Sequence, residues 1–441
     1  MMHGIRFQSI VYKTLKFTML EGGIVSEFLV QGPTTLNGEI FLQGSKNSTL
    51  PILVSTVLCS GECILHNCPN LTDVNDTLRI LRNLGATVKV DKSDIAINAK
   101  NISRFKISNE MMKSMRSSII FLGALISKLK KAEVAFPGGC KLGPRPIDLH
   151  LRALTKMGIS IEEQGKKLIC FAKDKIKGAS IFLPIPSVGA TENIILAGAL
   201  AEGKTTIINA AKEPEISDLC EFLNKCGAQI HGAGTGIIVI NGAKNLSGAE
   251  HNIIPDRIAA ITFMAAAAIT GGDIEINNLN YKHIKSVIPI FKNMGCEISA
   301  DEKSLRIIAK DKLKFYGLIK TMPYPGFPTD AQALLMAVLS CTDGRSVFIE
   351  NMFSDRFSHV NELIKFGADI KVKGKTATVT GVNKLIAADV EAKDLRCAAA
   401  LSVAALKAVG QTKIKGISHL DRGYENLERD FEALGASIKR I

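Results

Sequence analysis

The sequence predicts an α/β protein assembled from six copies of one supersecondary unit. Two observations carry this. First, one phrase recurs six times: an apolar helix end, a glycine, a small residue, then alternating apolar and polar positions. Its glycines are Gly85, Gly158, Gly227, Gly295, Gly367 and Gly435, so successive copies lie 73, 69, 68, 72 and 68 residues apart. Glycine at that point is a helix C′ residue in the left-handed conformation, and the alternation after it, as in Ala86-Thr87-Val88-Lys89-Val90, is a strand. Second, each copy holds another apolar, mostly alanine-rich run that reads as a second helix. These runs are Leu50–Leu58, Ser117–Ile126, Thr191–Ala201, Ile258–Ile269, Asp330–Leu339 and Asp394–Val409. A fixed period of this length marks repeated structural units. Six are too many for one core, which predicts two domains of three units each.

Taken in order, residues 1–25 stand apart. Met1–Leu20 carries Arg6, Lys13 and Lys16, no acid, no continuous apolar core and no small-residue cleavage site. It is read as a disordered basic leader, a transit-like segment or a tail from an upstream start codon, all outside the fold, and not as a secretory signal. The fold is expected to begin near Val25.

Gly44-Ser45-Lys46-Asn47-Ser48 follows the strand Glu39–Leu42 and feeds the first apolar helix. Small residues at a helix N-terminus suit an anion, and Lys46 adds a charge. A Walker A loop is absent. Arg116 heads the next apolar run. Pro137-Gly138-Gly139-Cys140-Lys141-Leu142-Gly143-Pro144-Arg145-Pro146 is too dense in glycine and proline for helix or central strand and is a loop. Cys140 beside Lys141 and near Arg145 has the electropositive setting that activates a thiol. Ser187-Val188-Gly189-Ala190-Thr191 again puts small residues at a helix start. Phe327-Pro328-Thr329-Asp330 opens a helix, with Asp330 either its cap or a general base. Asp355-Arg356, Asp394-Leu395-Arg396 and Asp421-Arg422 repeat an Asp/Arg theme that reads as surface ion pairs or as a cationic wall for an anion.

Composition narrows the classes. The net charge is +13, spread along the chain without blocks, and there is no Trp and only 5% aromatic residues. Base-stacking platforms are therefore missing, which argues against nucleic acid and for small anionic substrates. Ten cysteines in 441 residues are too dilute for a disulfide scaffold. Cys59, Cys63 and Cys68 cluster in sequence but have no matching pair downstream, so no zinc site is expected and the cysteines read as small core residues. No apolar run is long enough to span a membrane. A reducing, cytoplasmic compartment fits.

In order and spacing, these motifs resemble the UDP-N-acetylglucosamine 1-carboxyvinyltransferase family over about Val30 to Ile441. Gly44-Ser45-Lys46-Asn47 is similar to its phosphoenolpyruvate turn. Pro137-Gly138-Gly139-Cys140 with Arg145-Pro146-Ile147-Asp148-Leu149-His150 resembles its catalytic loop. Phe327–Asp330, Asp394–Arg396 and His419-Leu420-Asp421-Arg422-Gly423-Tyr424 resemble its later signatures. The resemblance implies a two-domain inside-out α/β barrel of six βαβαββ repeats. One domain is 46–254 and holds the cysteine loop; the other is 26–45 plus 255–441. The site would lie between them.

The implied reaction moves the enolpyruvyl group of phosphoenolpyruvate to the 3′-hydroxyl of UDP-N-acetylglucosamine and releases phosphate. By resemblance Cys140 is the proton donor and the target of fosfomycin, and Asp330 is the base. Lys46, Asn47, Arg116, Arg145, Arg396 and Arg422 match the phosphoenolpyruvate contacts, and Lys46 counts with Cys140 and Asp330 among the catalytic residues. Arg116, Arg145, Pro146, Ile147, Asp148, Leu149, Ser187, Val188, Gly189, Asp330 and Met352 match those of the nucleotide sugar, with Arg356 and Asp394 nearby. No metal, cofactor or obligate protein partner is implied. Ser45, Ile185, Ala259 and Ile261 depart from the residues the family often has. The rival readings are the sister family that makes 5-enolpyruvylshikimate 3-phosphate, and a non-catalytic sugar-nucleotide binder.

Overall fold

The structure is a computed structural model that describes residues 26–114, 116–135, 147–309 and 312–441. All six repeat glycines fall at helix ends with φ between 88° and 112°. A strand follows each one: Thr87–Asp91, Ser160–Gln164, Gln229–His231, Glu297–Ala300, Asp369–Lys373 and Ser437–Arg440. The periodic phrase is thus a helix, a left-handed stop and the return strand of a sheet.

Among the described residues there are six sheets, five of four strands and one of three. The five share one pattern, in which a parallel pair is extended by two antiparallel neighbours. In one of them Glu250–Asn252 runs parallel to Glu62–His66, which pairs antiparallel with Asp94–Asn98, which pairs antiparallel with Thr87–Asp91. The sixth sheet, Lys131–Ala135, Lys167–Phe171 and Ser160–Gln164, keeps only a single parallel bridge, Lys106 to Glu133, where the others have a strand. The strands alternate buried and exposed positions, as in Ile237–Asn241, so each sheet turns one face to solvent.

The second helix of each unit lies inside. Every residue of Arg257–Thr270 is buried. It packs against Gln332–Leu339 and Leu395–Lys407, which also pack on each other. Phe121–Leu129 packs on both Val188–Gly198 and Lys46–Ser55. A helix apolar on all sides needs neighbours all round, and that places helices within and sheets without. The expected run Thr191–Ala201 falls three residues earlier, as Val188–Gly198, and three others open or close with a 3-10 turn. The first begins at Lys46 and ends at Ser55, with a 3-10 turn over Thr56–Leu58. The runs at Ser117 and Asp330 open as 3-10 turns, Arg116–Ile120 and Thr329–Ala331, before the α-helices Phe121–Leu129 and Gln332–Leu339.

Buried apolar side chains form two clusters. One draws on residues from Leu50 to Ile253; the other on Phe28 to Leu42 and Ile258 to Ile438. The chain passes between them twice, and the two passages touch. Gly44 bridges Pro255, Ser45 N donates to Ile254 O at 2.7 Å, and Asp256 N donates to Gln43 O at 3.0 Å. A Cβ on Gly44 would lie 1.7 Å from the carbonyl oxygen of Asn67, so this passage admits only glycine. No helix among the described residues is long and apolar enough to cross a membrane.

Candidate active site

Lys46 is the first residue of its helix because Ser45 caps it, its side chain accepting from Ser48 N. Its own N–H donates to Asp256 Oδ2 at 3.1 Å, and Asp256 also caps Arg257–Thr270. One acid therefore ties the start of the Lys46 helix to the other cluster. Lys46 Nζ lies 2.7 Å from Asp73 Oδ2. Arg422, at the end of the 3-10 turn Ile417–Arg422, reaches the same carboxylate, with Nε 2.9 Å from Oδ1 and Nη2 3.3 Å from Oδ2. Burial drives the Lys46 ammonium below its usual range, and Arg396 and Arg422 add to that against the pull of Asp73. Burial pushes the Asp73 carboxyl up, but Lys46 and Arg422 outweigh it and hold the group below the ordinary carboxylate range.

Asp330 is no helix cap. Its carboxylate takes Nη2 of Arg356 on Oδ1 and Nη2 of Arg396 on Oδ2, the latter at 3.0 Å. Burial opposes its charge, yet these two guanidiniums, with Arg257 behind them, hold it far below the ordinary range. Arg396 is positioned by Asp394, whose side chain caps Leu395–Lys407 by accepting from Arg396 N and Cys397 N. Arg356 also donates to Thr329 O at 3.2 Å. Glu350 gathers the surrounding loops, accepting from Thr321 Oγ1 at 2.9 Å, Thr329 Oγ1 at 3.0 Å and Met352 N at 2.7 Å. The Asp/Arg theme is thus not one of neighbours in sequence. Arg356 and Arg396 share Asp330, Arg422 takes Asp73, and Asp421 pairs with Arg440 at 2.7 Å.

Ser187 caps Val188–Gly198 through Ala190 N, which puts Val188 and Gly189 in the first turn. A Cβ on Gly189 would stand 3.0 Å from Cε1 of His150, so this turn lies against the helix Asp148–Lys156, which follows Ile147. The stretches 147–149 and 187–189 are therefore neighbours. His150 is buried, and its Nδ1 meets Asn193 Nδ2 at 2.7 Å. Asn193 Oδ1 accepts from Gly123 N at 2.7 Å, which fixes the amide so that its NH₂ donates to the imidazole. Burial lowers the His150 pKa to about 4, in keeping with a neutral ring.

Cys140, Arg145 and Pro146 lie outside the described residues, and for Arg116 only the backbone turn is described. Asn47 is half-buried one residue into the Lys46 helix, and Met352 is partly exposed beside Glu350. Asp73 and Glu350 were not foreseen. Asp73 in the first turn of Thr72–Leu84 looks in sequence like an acid placed on a helix dipole. The cysteines also differ from expectation. Cys59, Cys63 and Cys226 are buried with all three sulfurs within 4.8 Å of one another, while Cys68 is not in the group. Sequence spacing missed this because Cys226 arrives from a distant helix end.

A family model described as EPSP synthase (3-phosphoshikimate 1-carboxyvinyltransferase) matches residues 30–431. The chain is 46% identical over 417 residues to UDP-N-acetylglucosamine 1-carboxyvinyltransferase 2 of Caldanaerobacter subterraneus, covering 95% of this chain and 100% of that one. It is 46% identical over 419 residues to UDP-N-acetylglucosamine 1-carboxyvinyltransferase 1 of Clostridium acetobutylicum, with the same coverage. Among solved structures, the enolpyruvyl transferase NikO from Streptomyces tendae superposes with a TM-score of 0.87 at 22% identity, covering 94% of this chain and 99% of that one. EPSP synthase from Acinetobacter baumannii gives 0.75 at 21%, covering 95% and 100%. These two carry the fold alone, whereas the sequence relatives fix the branch. The chain belongs to the UDP-N-acetylglucosamine 1-carboxyvinyltransferase family, a branch of the enolpyruvyl transferases related to EPSP synthase.

Proposed function

We propose that this enzyme transfers the enolpyruvyl group of phosphoenolpyruvate to the 3′-hydroxyl of UDP-N-acetylglucosamine with release of phosphate, the committing step of peptidoglycan synthesis, in the cytoplasm. The observation that carries the reading is the convergence of Lys46, Arg396 and Arg422 around two carboxylates, where the two hydrophobic clusters meet. In this reading the clusters are two domains, 46–254 and 26–45 plus 255–441, each an inside-out barrel of three units, with the site in the cleft.

The chemistry needs three things from the protein. C3 of phosphoenolpyruvate must gain a proton, with Cys140 assigned as donor, so that C2 turns electrophilic and bonds to the sugar oxygen; a C3 proton then leaves as the C2–O bond to phosphate breaks, which restores the double bond. Phosphate and carboxylate need cations, assigned to Lys46, Arg116, Arg145, Arg396 and Arg422 with Asn47 beside them. The sugar hydroxyl must lose a proton to Asp330. A carboxylate gripped by two guanidiniums is a weak base, so Asp330 gains basicity when Arg396 turns to the substrate anion. The neighbouring stretches 147–149 and 187–189 offer helix-start backbone N–H groups to the nucleotide diphosphate. Met352 stands beside Glu350, and Arg356 and Asp394 set the geometry of Asp330 and Arg396.

The test is phosphate release from phosphoenolpyruvate, with UDP-N-acetylglucosamine or shikimate 3-phosphate as acceptor. Release that depends on the sugar nucleotide, and is lost on fosfomycin treatment and in Cys140→Ala, is expected. Release only with shikimate 3-phosphate would move the chain to the sister activity. Nucleotide binding without release would make it a non-catalytic binder.

A further inference from the structure

Asp73 has no part in the reaction as assigned above, yet it holds two of the cations assigned to phosphoenolpyruvate. Both of its oxygens are used, one by Arg422 Nε and the other by Lys46 Nζ and Arg422 Nη2. Its side chain is 3% exposed, against 13% for Lys46 and 22% for Arg422. The acid is thus more deeply buried than either cation that it holds. The three residues come from three places: the passage between the clusters, the helix Thr72–Leu84, and the 3-10 turn Ile417–Arg422. A carboxylate on a short stem is here the common anchor of two long, flexible cationic side chains.

We propose that Asp73 is an internal anion that positions Lys46 and Arg422 and sets the selectivity of the site for phosphoenolpyruvate, which must outcompete it for both cations. The inference rests on the reading of Lys46 and Arg422 as substrate cations. Its physics is a like-charge contest. A phosphate oxygen arriving at Lys46 meets a carboxylate already in contact with that ammonium, and two anions on one cation repel. A weak monoanion gains too little to displace Asp73. A phosphate dianion that also carries a carboxylate makes enough charge-assisted hydrogen bonds to do so. The price of that selectivity is lower affinity for every anion. The benefit is that both cations are in place before substrate arrives, so less side-chain freedom is lost on binding.

The experiment measures binding of inorganic phosphate to the full chain, and steady-state kinetics in phosphoenolpyruvate, for wild type, Asp73→Asn and Asp73→Glu. Asp73→Asn is expected to bind phosphate about tenfold tighter. KM for phosphoenolpyruvate should fall, and kcat should fall with it as the cations lose their anchor. Without its counter-ion Lys46 also deprotonates more readily, so phosphate binding in Asp73→Asn should be lost at a lower pH than in wild type. Asp73→Glu keeps the charge and should keep wild-type phosphate affinity. A purely structural role also lowers kcat but raises KM. Unchanged or weaker phosphate binding by folded Asp73→Asn overturns the proposal. Should Asp73→Asn not fold, crystals of the wild-type chain with inorganic phosphate decide. Phosphate on Lys46 and Arg422, with Asp73 no longer within hydrogen-bond distance of Lys46, supports it; phosphate bound with the Asp73 contacts intact overturns it. Phosphate binding is read without turnover, so failure of the proposed reaction and failure of this role for Asp73 are separable.

Discussion

Glu192 shows how one side chain can make the whole fold sensitive to pH. It lies one turn inside Val188–Gly198 and is 6% exposed. Burial pushes its carboxyl up to about 8, with Glu215 and Glu213 pushing the same way. In the unfolded chain the group ionises near 4.3. Between these values the unfolded state gives up the proton and the folded state keeps it, so stability falls as pH rises. The slope is roughly 1.4 kcal/mol per pH unit within that window. Urea midpoints at pH 5 and pH 8 should therefore separate more for wild type than for Glu192→Gln. Parallel curves would mean that Glu192 ionises as an exposed acid does. Asp330 titrates with the opposite sign. Its folded value is depressed, so its contribution is present above the ordinary carboxylate range and is lost as pH falls below it.

Among the elements, Phe121–Leu129 and Val188–Gly198 approach closely at a glycine near the proposed nucleotide stretch. A Cβ on Gly123 would lie 2.5 Å from the backbone oxygen of Asn193 and 2.7 Å from its Oδ1. The backbone oxygen cannot step aside without moving a helix, and Oδ1 can do so only by turning the Asn193 amide. Gly123→Ala should cost about 1–3 kcal/mol in chemical denaturation. It should also displace the Asn193 amide from His150, which packs under Gly189. If stretches 147–149 and 187–189 bind the nucleotide, KM for UDP-N-acetylglucosamine rises in this variant. Unchanged stability would show that the two helices have slack that the distances do not suggest. Helix ends also explain why boundaries shifted from expectation. Ser45 and Asp394 are good caps and start helices sharply, whereas Arg116 and Thr329 open as 3-10 turns whose backbone ladder differs.

At the scale of the whole molecule, Arg257 makes a charged contact between the two clusters. Its guanidinium meets Glu215 of Pro214–Lys225 at 2.9 Å, both groups being buried, and faces the ring of Tyr324 at 5.6 Å. Removing Glu215 takes away the carboxylate that hydrogen-bonds this buried guanidinium, leaving only the longer-range charges of Glu213 and Asp330. Glu215→Gln should therefore cost about 3–5 kcal/mol. Glu215→Leu combined with Arg257→Met should recover much of that, because no charge is then stranded. Denaturant curves for the single and double variants test this. A double variant as unstable as the single one would show that the bridge contributes packing and not charge.

The repeat was legible in the sequence because its cause is local. Glycine is the residue that stops a helix in the left-handed conformation at least cost, so Gly85 to Gly435 mark six helix–strand junctions wherever the units are placed. The fully apolar second helices were legible for the same reason, since a side chain's polarity reports its burial. The motifs around Lys46, Asp330, Arg396 and Arg422 were also visible, as residue types near helix starts. Their partners were not. The sequence set Asp355 beside Arg356 and Asp421 beside Arg422, but the tertiary structure gave Arg356 to Asp330 and Arg422 to Asp73. Nothing local singles out Asp73, and Cys226 reads as a small core residue; folding brings Lys46 to the one and Cys59 and Cys63 to the other. A helix stop depends on a few adjacent residues and is written where it acts. An ion pair depends on distance in space, and only the packing of the two clusters decides which charges come within reach.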